Sequence, residues 1–425
     1  MIYQKSFMKG FLNKFKWRFL IFLSVLGPGI ITAVADNDAG GLATYTVAAS
    51  LYGMASRFLI PIETMILLVT QEIGARIALV TRKGLGDLIR ERYGVKISFL
   101  IFVLYFITNQ GVVIQNVTGL KAAFELFGLN WRFFLITTCL LLIVFVIFFD
   151  YKKIQRIFLL IVFFYISYII SAFLSKPNWL EAVKESFVWP TKINIFDLTF
   201  WFSRIAVLGT TITAWGQFFV HSYIIDKRLE VRHLKYERLE VYLGAFIINF
   251  FSWMMAVAVT YTIFIHNIKV DDGFKAALAI KPLAGEAAFL FFALGLFAAS
   301  ILGLTIVPLA TAYVFSEILG FEGSLNASFT KGKISYGFFV LQILIGLIVA
   351  LFPNTSLFKL TLYVDFLNGA MLPIIFYFLV KFSEDEEIMG KYTNSGFSRL
   401  LVRGLVVVIS LLVILTFFGK ILGLA

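Results

Sequence analysis

The chain has 425 residues, of which 60% are hydrophobic and 15% charged, whereas soluble domains contain about 45–50% apolar and about 25% charged residues. This composition excludes a soluble globular protein and predicts one that crosses a membrane many times. The net charge of +12 does not indicate a nucleic-acid partner, because the basic residues lie in the loops between apolar runs. The single cysteine, Cys139, lies within an apolar run and excludes a disulfide framework.

Eleven apolar runs are long enough to cross a bilayer. They fall at residues 19–51, 58–80, 97–120, 132–149, 154–174, 199–225, 239–266, 285–317, 335–352, 358–380 and 400–424. The spans divide the chain into an N-terminal tail (1–18), a first five-span unit (19–174), a connecting segment (175–198), a second five-span unit (199–380), a loop (381–399) and a last span (400–425). The eighth run contains Pro308 but no basic residue that would anchor an extra turn, so we expect one span there.

The distribution of Lys and Arg predicts the orientation. With the N-terminus in the cytoplasm, 24 of these residues lie on the cytoplasmic side and 11 on the opposite side. This excess favours a cytoplasmic tail and an extracytoplasmic C-terminus in the cell (inner) membrane. The segment 175–198 then lies outside the cell and has the aromatic and proline content of an interfacial segment, whereas the loop 381–399 is cytoplasmic and its acidic run 384–387 is expected to be solvated.

The first span is interrupted by polar residues. Gly-Pro-Gly at 27–29 is followed by Asp-Asn-Asp-Ala-Gly-Gly at 36–41. A charged side chain at the centre of a bilayer costs about 2.5–3.5 kcal/mol, so Asp36 and Asp38 require a cavity or a cation. The glycines allow the backbone to leave the helix and expose carbonyl oxygens. We interpret the stretch as a cation site rather than as a kinked helix with a hydrated patch.

The sixth span is interrupted in the same way. Gly-Thr-Thr-Ile-Thr-Ala-Trp-Gly-Gln at 209–217 is a poor lipid-facing helix. The two interruptions are five spans apart, and a five-span unit that repeats must return with inverted topology, as in transporters with a site between two broken helices. The alternative is that these small residues only allow close helix packing; the pairing with Asp38 makes it the weaker interpretation.

Three other groups of intramembrane polar residues need an explanation. Glu72 and Arg76 have the i, i+4 spacing of a structural ion pair. Four amides in the third span either hydrogen-bond between helices or line an aqueous path: Asn109, Gln110, Gln115 and Asn116. Asp365 and Asn368 lie one turn apart in the tenth span, where they can face a vestibule.

At these motifs the chain resembles the NRAMP divalent-metal transporters. The residues at 27–29 and 38–41 resemble the family's first-span motif Asp-Pro-Gly-Asn, and those at 209–214 resemble its sixth-span motif Gly-Ala-Thr-x-Met-Pro. The run 71–85 is similar to the end of the family's second span. The resemblance implies an all-α, leucine-transporter-like fold with two inverted five-helix repeats, helices 1 and 6 broken, and one extra span. It also implies transport of a divalent cation by alternating access.

The departures from the family motifs predict the ion. Gly41 replaces the family's metal-binding asparagine, Thr213 its metal-binding methionine, and Ala39 its proline. Because a thioether favours transition metals, a hydroxyl in its place removes the preference for Mn²⁺ or Cd²⁺ over Mg²⁺. The smaller side chains also leave volume for the waters that Mg²⁺ releases reluctantly. The pattern is similar to that of the NRAMP-related magnesium transporters.

We therefore expect Mg²⁺, and also Mn²⁺, to bind largely hydrated at a midplane site. The predicted metal-site residues are Asp38 as main ligand, Asp36 as a second charge, Gly41, Thr210 and Thr213 through backbone and hydroxyl oxygens, and Gln217 through the water shell of the ion. No catalytic residue and no cofactor are expected, because transport makes no covalent bond. No ATP-binding loop is present. The expected partners are the cation and membrane lipid, and the expected state is a monomer.

Proton coupling is typical of the family but is not expected for this chain. The third span (97–119) and the ninth (335–352) contain no charged residue or histidine, and Trp215 stands where the family has the first sixth-span histidine. Asp36, Glu63 and His221 remain as carriers of a proton. The alternatives are a proton-coupled Mn²⁺ or Fe²⁺ transporter, an amino-acid or organic-cation transporter of the same fold, and a channel-like or sensory membrane protein.

Overall fold

The computed structural model describes residues 37–148, 166–190, 193–194, 196–321, 332–352, 354–394 and 396–421. These ranges are built from helices and contain no β-strand, which confirms the all-α prediction. The tail 1–18, Asp36 and the Gly-Pro-Gly at 27–29 lie outside the described residues, as does most of the fifth predicted span.

The main helices are numbered here in chain order. They are α1 Ala39–Tyr52, α2 Ile60–Thr81, α3 Leu85–Leu126, α4 Trp131–Phe148, α5 166–174, α6 Trp179–Phe187, α7 Leu198–Thr211, α8 Ala214–Asp226, α9 Leu234–Thr262, α10 Ala288–Leu319, α11 Lys333–Leu351, α12 Leu357–Ser383 and α13 Gly396–Ile421. Shorter helical turns join them, among them Gly53–Arg57 after α1 and Glu386–Met389 after α12. The helix α10 contains Pro308 without interruption, as predicted for the eighth span.

The helices coincide with the apolar runs of the sequence. Within the described ranges, eight helical stretches are long and apolar enough to cross a membrane. The remaining three runs correspond to α1, to α5 and to the pair α7 and α8, each described only in part or divided by a break. Large apolar side chains stay exposed on several of these helices, for example Leu141 and Phe148 on α4 and Leu415 on α13. Lipid, rather than water, is the solvent that tolerates such a surface.

The cytoplasmic segment predicted at 82–96 is more ordered than a loop. It forms the first part of α3, which bends at Gly94, where φ is 78°. Only glycine adopts this conformation without strain, so the bend separates a polar helical piece from the apolar span. Within that polar piece, Arg90 pairs with Asp87 at 3.1 Å.

The acidic run at 384–387 differs from the expected solvated loop. Glu384 is ion-paired with Arg403 of α13, and Asp385 is paired with Arg92 of α3 at 2.7 Å. The contact with Arg403 forms because α12 packs against α13 and the acidic run begins directly after the last residue of α12.

The pair of Glu72 and Arg76 forms as predicted. Their side chains are 3.1 Å apart, and Glu72 also accepts a hydrogen bond from Arg238 of α9 at 2.8 Å. The pair therefore ties α2 to α9 and has a structural role.

Two of the amides in α3 connect helices. Asn109 donates to the hydroxyl of Thr311 on α10 at 2.9 Å, and Gln110 donates to the carbonyl of Gln342 on α11 at 3.0 Å. For these two residues, interhelical hydrogen bonding is thus the correct interpretation. They fix α3 against α10 and α11 and place the next turns of α3, with Gln115 and Asn116, beside the start of α1.

Candidate functional site

Asp38 is the N-cap of α1 and lies where the first-span interruption was predicted. Its backbone is extended, with φ −67° and ψ −170°, and its Oδ1 accepts a hydrogen bond from the Gly41 amide at 3.1 Å. An aspartate at this position satisfies a free helix-terminal N–H and is stabilised by the positive end of the helix dipole. The side chain is 3% exposed, so its charge is held in the protein interior.

Asn116 of α3 holds the carboxylate of Asp38 from the other side. Its Nδ2 donates to Asp38 Oδ2 at 2.6 Å, while its Oδ1 accepts from the Ala39 amide at 3.2 Å. A Cβ at Gly303 of α10 would lie 2.2 Å from Asn116 Oδ1, so the glycine leaves the space that the amide occupies. Asn116 therefore orients Asp38, a role that the sequence motif did not reveal.

The sixth-span interruption is a break between α7 and α8. Ile212 ends α7 with φ −124° and ψ 80°, and Thr213 precedes α8 with an extended backbone. The hydroxyl of Thr213 accepts from the Gly216 amide at 3.1 Å, so Thr213 caps α8 as Asp38 caps α1. The predicted break is confirmed, and its position is residues 212–213.

The break interrupts the backbone hydrogen bonding between α7 and α8. The last α7 bond runs from the Ile212 amide to the Leu208 carbonyl at 2.8 Å, and the first bond across the α8 cap runs from the Gln217 amide to the Thr213 carbonyl at 3.3 Å. Among the described residues, no backbone amide of α8 donates to the carbonyls of Gly209 or Thr210. Carbonyls at the C-terminus of a helix carry partial negative charge and suit a cation.

The first and sixth spans are in direct contact. The hydroxyls of Tyr45 on α1 and Thr211 on α7 are 3.0 Å apart. The helix α7 also packs closely on α12, because a Cβ at Gly209 would lie 2.1 Å from the Asp365 carbonyl and 2.4 Å from the Gly369 amide. The small residues thus allow close packing in addition to forming the break.

The tenth span brings a further carboxylate to the same place. Asp365 accepts a hydrogen bond from the Thr44 hydroxyl, and the Thr361 hydroxyl lies against that of Thr44. Thr361 in turn donates to the Gly40 carbonyl at 3.2 Å and accepts from Gln115 at 3.2 Å. Asp365 is 2% exposed. It therefore lies within a polar network with α1.

A model of the protein family described as "Natural resistance-associated macrophage protein-like", Nramp, matches residues 29–419. The chain belongs to the Nramp family. This match covers the polar stretches 36–41 and 209–217 and nearly all of the described helices. The chain is accordingly a multi-pass membrane protein.

Relatives of this Nramp chain are distant and cover most of its length. It is 22% identical over 409 residues to a protein of Staphylococcus haemolyticus named divalent metal cation transporter MntH, covering 92% of this chain and 91% of that protein. It is 24% identical over 421 residues to the metal transporter nramp1 homolog of Dictyostelium discoideum, covering 95% of this chain and 76% of the other.

Solved structures show the fold. The Eremococcus coleocola manganese transporter, in complex with an aromatic bis-isothiourea substituted compound, superposes with a TM-score of 0.73 at 16% identity, over 94% of this chain and 87% of that one. MhsT in complex with L-phenylalanine gives a TM-score of 0.55 at 14% identity, over 92% of this chain and 98% of the other. The Nramp chain therefore has the predicted leucine-transporter-like fold.

The structure places the described members of the predicted site at the starts of α1 and α8 and at the end of α7. Asp38 and Gly41 are hydrogen-bonded at the start of α1, Thr213 and Gln217 are linked at the start of α8, and Thr210 is buried in the last turn of α7. Asp36 lies outside the described residues. The structure adds two residues to the predicted set. They are Asn116 and Asp365, of which the sequence analysis expected Asp365 only to face a vestibule.

The oxygen-rich character of the site limits how it can hold a metal. Within the described ranges, no group of three or more His, Cys, Asp or Glu side chains is arranged to hold a metal ion. Asp38 offers a carboxylate, Thr210 a backbone carbonyl, and Gln217 the oxygen of a buried side-chain amide. Ligands of this kind suit hard cations that keep much of their water.

Two predicted proton carriers occupy different surroundings. Glu63 is paired with Arg57 and Arg204 beyond the end of α1 opposite Asp38. His221 of α8 is buried, with Nδ1 3.0 Å from the Gln217 carbonyl and Nε2 without a hydrogen-bond partner among the described residues. Of these two residues, only His221 is connected to the break between α7 and α8.

Proposed function

We propose that this Nramp chain is a secondary transporter of divalent cations that carries mainly Mg²⁺, and also Mn²⁺, by alternating access. The observation that carries the proposal is that the first and sixth spans contact each other through Tyr45 and Thr211, with Thr213 at the cap of α8 where the family has a methionine. The names of the relatives, which refer to divalent metal cations and metals, support the substrate class.

The polarity of the helix ends supports a cation substrate. In the proposal, the carboxylate of Asp38 supplies charge, and the carbonyls at the C-terminal end of α7, to which no described α8 amide donates, supply neutral oxygen ligands. A substrate carboxylate would instead meet the carboxylate of Asp38, which is buried at the start of α1. An amino-acid substrate is therefore disfavoured by like-charge repulsion.

The ligand chemistry supports Mg²⁺ as the main ion. Carboxylate, carbonyl, hydroxyl and amide groups are hard ligands, which give no advantage to Mn²⁺ or Cd²⁺ over Mg²⁺ beyond the general order of affinities. Because Mg²⁺ gives up its waters reluctantly, the ion is proposed to bind with most of its hydration shell. Gln217 and Thr213 then contact water of the ion rather than the metal.

We further propose that transport is not coupled to protons. The span of α3 that follows its bend lacks charged residues from 97 to 119, and its amides are engaged in hydrogen bonds to α10, α11, α12 and Asp38. The ion pairs of Glu63 support the proposal because they occupy one of the remaining carriers. His221 is the candidate proton carrier whose role the experiment below tests.

The experiment is uptake into proteoliposomes that contain a pH-sensitive dye, with Mg²⁺, Mn²⁺, Ca²⁺ and Cd²⁺ and an amino acid as a control. We expect Mg²⁺ and Mn²⁺ uptake that is lost in Asp38→Ala, without acidification above that of empty liposomes. Metal-driven acidification that disappears in His221→Ala would instead establish a proton-coupled transporter. The manganese transporter among the structural neighbours motivates that second candidate.

The orientation and state of the protein are part of the proposal. The excess of Lys and Arg favours a cytoplasmic N-terminus and an extracytoplasmic C-terminus in the cell membrane. Transport as a monomer, without enzymatic chemistry, is sufficient for the site described. Protease protection of epitope tags at the two termini in right-side-out vesicles tests the orientation, and a protected C-terminal tag would contradict it.

A further inference from the structure

A second cluster of buried charges lies beyond the end of α1 opposite Asp38. It consists of Arg57 in the turn after α1, Glu63 in the first turn of α2, and Arg204 in α7. One carboxylate serves both guanidinium groups: Glu63 Oε2 is 3.3 Å from Arg57 Nη2, and Glu63 Oε1 accepts from Arg204 Nη2. The cluster therefore carries one excess positive charge.

This excess charge is fully buried. Arg57 is 1%, Glu63 3% and Arg204 6% exposed. In the described part of the chain, no other carboxylate is paired with either arginine. The ring of Tyr45 lies 5.3 Å from the Arg57 guanidinium but carries no net charge, so the buried excess charge keeps a desolvation cost that a counter-ion offsets.

Several hydrogen-bond donors around the excess charge have no acceptor among the described residues. Arg57 uses Nη2 to donate to Asn249 of α9 at 3.2 Å, but its Nε and Nη1 are buried and unsatisfied. The hydroxyls of Ser56 and Ser203, the chain neighbours of the two arginines, are also buried without a partner. Buried guanidinium N–H and hydroxyl groups without acceptors are costly, which points to a bound acceptor.

We infer that this cluster, which we call the arginine pair, binds a small monovalent anion of the halide type, such as chloride. A single negative charge neutralises the excess, and a monatomic ion requires the least space at residues that are almost completely buried. A halide accepts hydrogen bonds from guanidinium and hydroxyl groups in many directions. A water molecule would also accept these hydrogen bonds, but it would not neutralise the excess positive charge.

The location gives the ion a structural effect. The arginine pair joins the turn after α1, the start of α2, α7 and α9, which belong to both predicted five-span units. Arg204 lies six residues before Thr210 on α7, and Arg57 follows the helix that Asp38 caps. The anion is thus expected to stabilise the packing of the two helices that carry the cation site.

The first test is thermal unfolding of the purified full-length protein in sodium gluconate, chloride or bromide at constant ionic strength. We expect chloride and bromide to raise the melting temperature in a saturable manner relative to gluconate. Arg57→Gln should abolish this rise, whereas Arg92→Gln, which removes a half-exposed arginine on α3, should retain it. Equal melting temperatures in chloride and gluconate, or a rise retained in Arg57→Gln, would overturn the inference.

A second variant keeps the test informative if Arg57→Gln does not fold. Glu63→Gln raises the excess charge from one to two, so chloride should half-saturate the stabilisation at a concentration at least several-fold lower than in the wild type. An unchanged or higher half-saturating concentration contradicts a halide at this cluster. In bromide-soaked crystals, anomalous scattering should place bromide against the Arg57 guanidinium, and bromide found only elsewhere would refute the site. None of these readouts depends on which cation is transported.

Discussion

The role of Asn116 can be tested by replacing it with alanine. Asn116 donates to Asp38 Oδ2 at 2.6 Å and accepts from the Ala39 amide at 3.2 Å, so Asn116→Ala removes both contacts at the start of α1. The carboxylate of Asp38 keeps the hydrogen bond from the Gly41 amide to Oδ1 but loses the hydrogen bond that fixes the position of Oδ2. We therefore expect weaker Mg²⁺ binding with the fold preserved.

The magnitude follows from the kind of bond. A hydrogen bond to a charged group contributes about 1.5–3 kcal/mol, which corresponds to about 10-fold to about 150-fold in affinity. Loss of a group that orients a metal ligand costs about 10- to 100-fold by comparison with other metal sites. The two arguments agree, and we expect the dissociation constant and the transport KM for Mg²⁺ to rise by one to two powers of ten.

Asn109→Ala provides a matched control. It removes the same side chain from the same helix, also completely buried, but its amide contacts Thr311 and not Asp38. Calorimetric titration of Mg²⁺ and proteoliposome uptake measure both variants. If Asn116→Ala binds Mg²⁺ no more weakly than Asn109→Ala, the proposed orientation of Asp38 by Asn116 is wrong.

Gly303→Ala tests the same contact without removing the amide. The new methyl group would lie 2.2 Å from Asn116 Oδ1, so the side chain must move away from α10. We expect a loss of Mg²⁺ affinity in the same direction as in Asn116→Ala, and a much smaller further loss when both changes are combined. Losses that simply add in the double variant would show that the glycine acts elsewhere.

The remaining predictions concern the predicted ligands. Asp38→Ala should abolish Mg²⁺ uptake while Asp36→Ala only weakens it, and equal losses in the uptake assay would defeat this ranking. Thr213→Met, alone or with Gly41→Asn, should strengthen Cd²⁺ and Mn²⁺ binding relative to Mg²⁺, because it restores a soft ligand and reduces the volume; calorimetry that shows no gain for Cd²⁺ contradicts the argument. Asp365→Asn should raise the Mg²⁺ KM less than Asp38→Asn does, since its carboxylate lies in a hydroxyl network; a larger effect in parallel uptake assays would make Asp365 the main ligand.

The sequence was sufficient to predict the spans and the two breaks because both depend on local composition. Runs of apolar residues fix where a helix can cross a bilayer, and the glycines, threonines and carboxylates at 36–41 and 209–217 cannot continue such a helix without cost. The structure accordingly begins α1 at Ala39 and separates α7 from α8 at residues 212–213.

The partners at the site could not be predicted in the same way. Asn116 is 78 residues from Asp38, and Asp365 is 321 residues from Thr44. The four amides of α3 all lie in the same apolar run of the sequence. The sequence therefore does not show which of them contacts a carboxylate. The packing of α3 against α10 and α11 decides this, through glycines such as Gly303 that leave room for the amide.

The hydrogen bonds of Asp38 bear on whether the ion is bound with its water. A carboxylate has about four lone-pair positions, of which Gly41 occupies one on Oδ1 and Asn116 one on Oδ2. The remaining positions can accept hydrogen bonds from the waters of a hydrated Mg²⁺ while both protein contacts persist. Direct coordination would require the ion to exchange several waters for protein oxygens, and within the described residues no three Asp, Glu, His or Cys side chains are grouped to supply them. The same hydrogen bonds that hold Asp38 in place thus favour outer-sphere binding, in which selectivity depends on the size and charge of the hydrated ion.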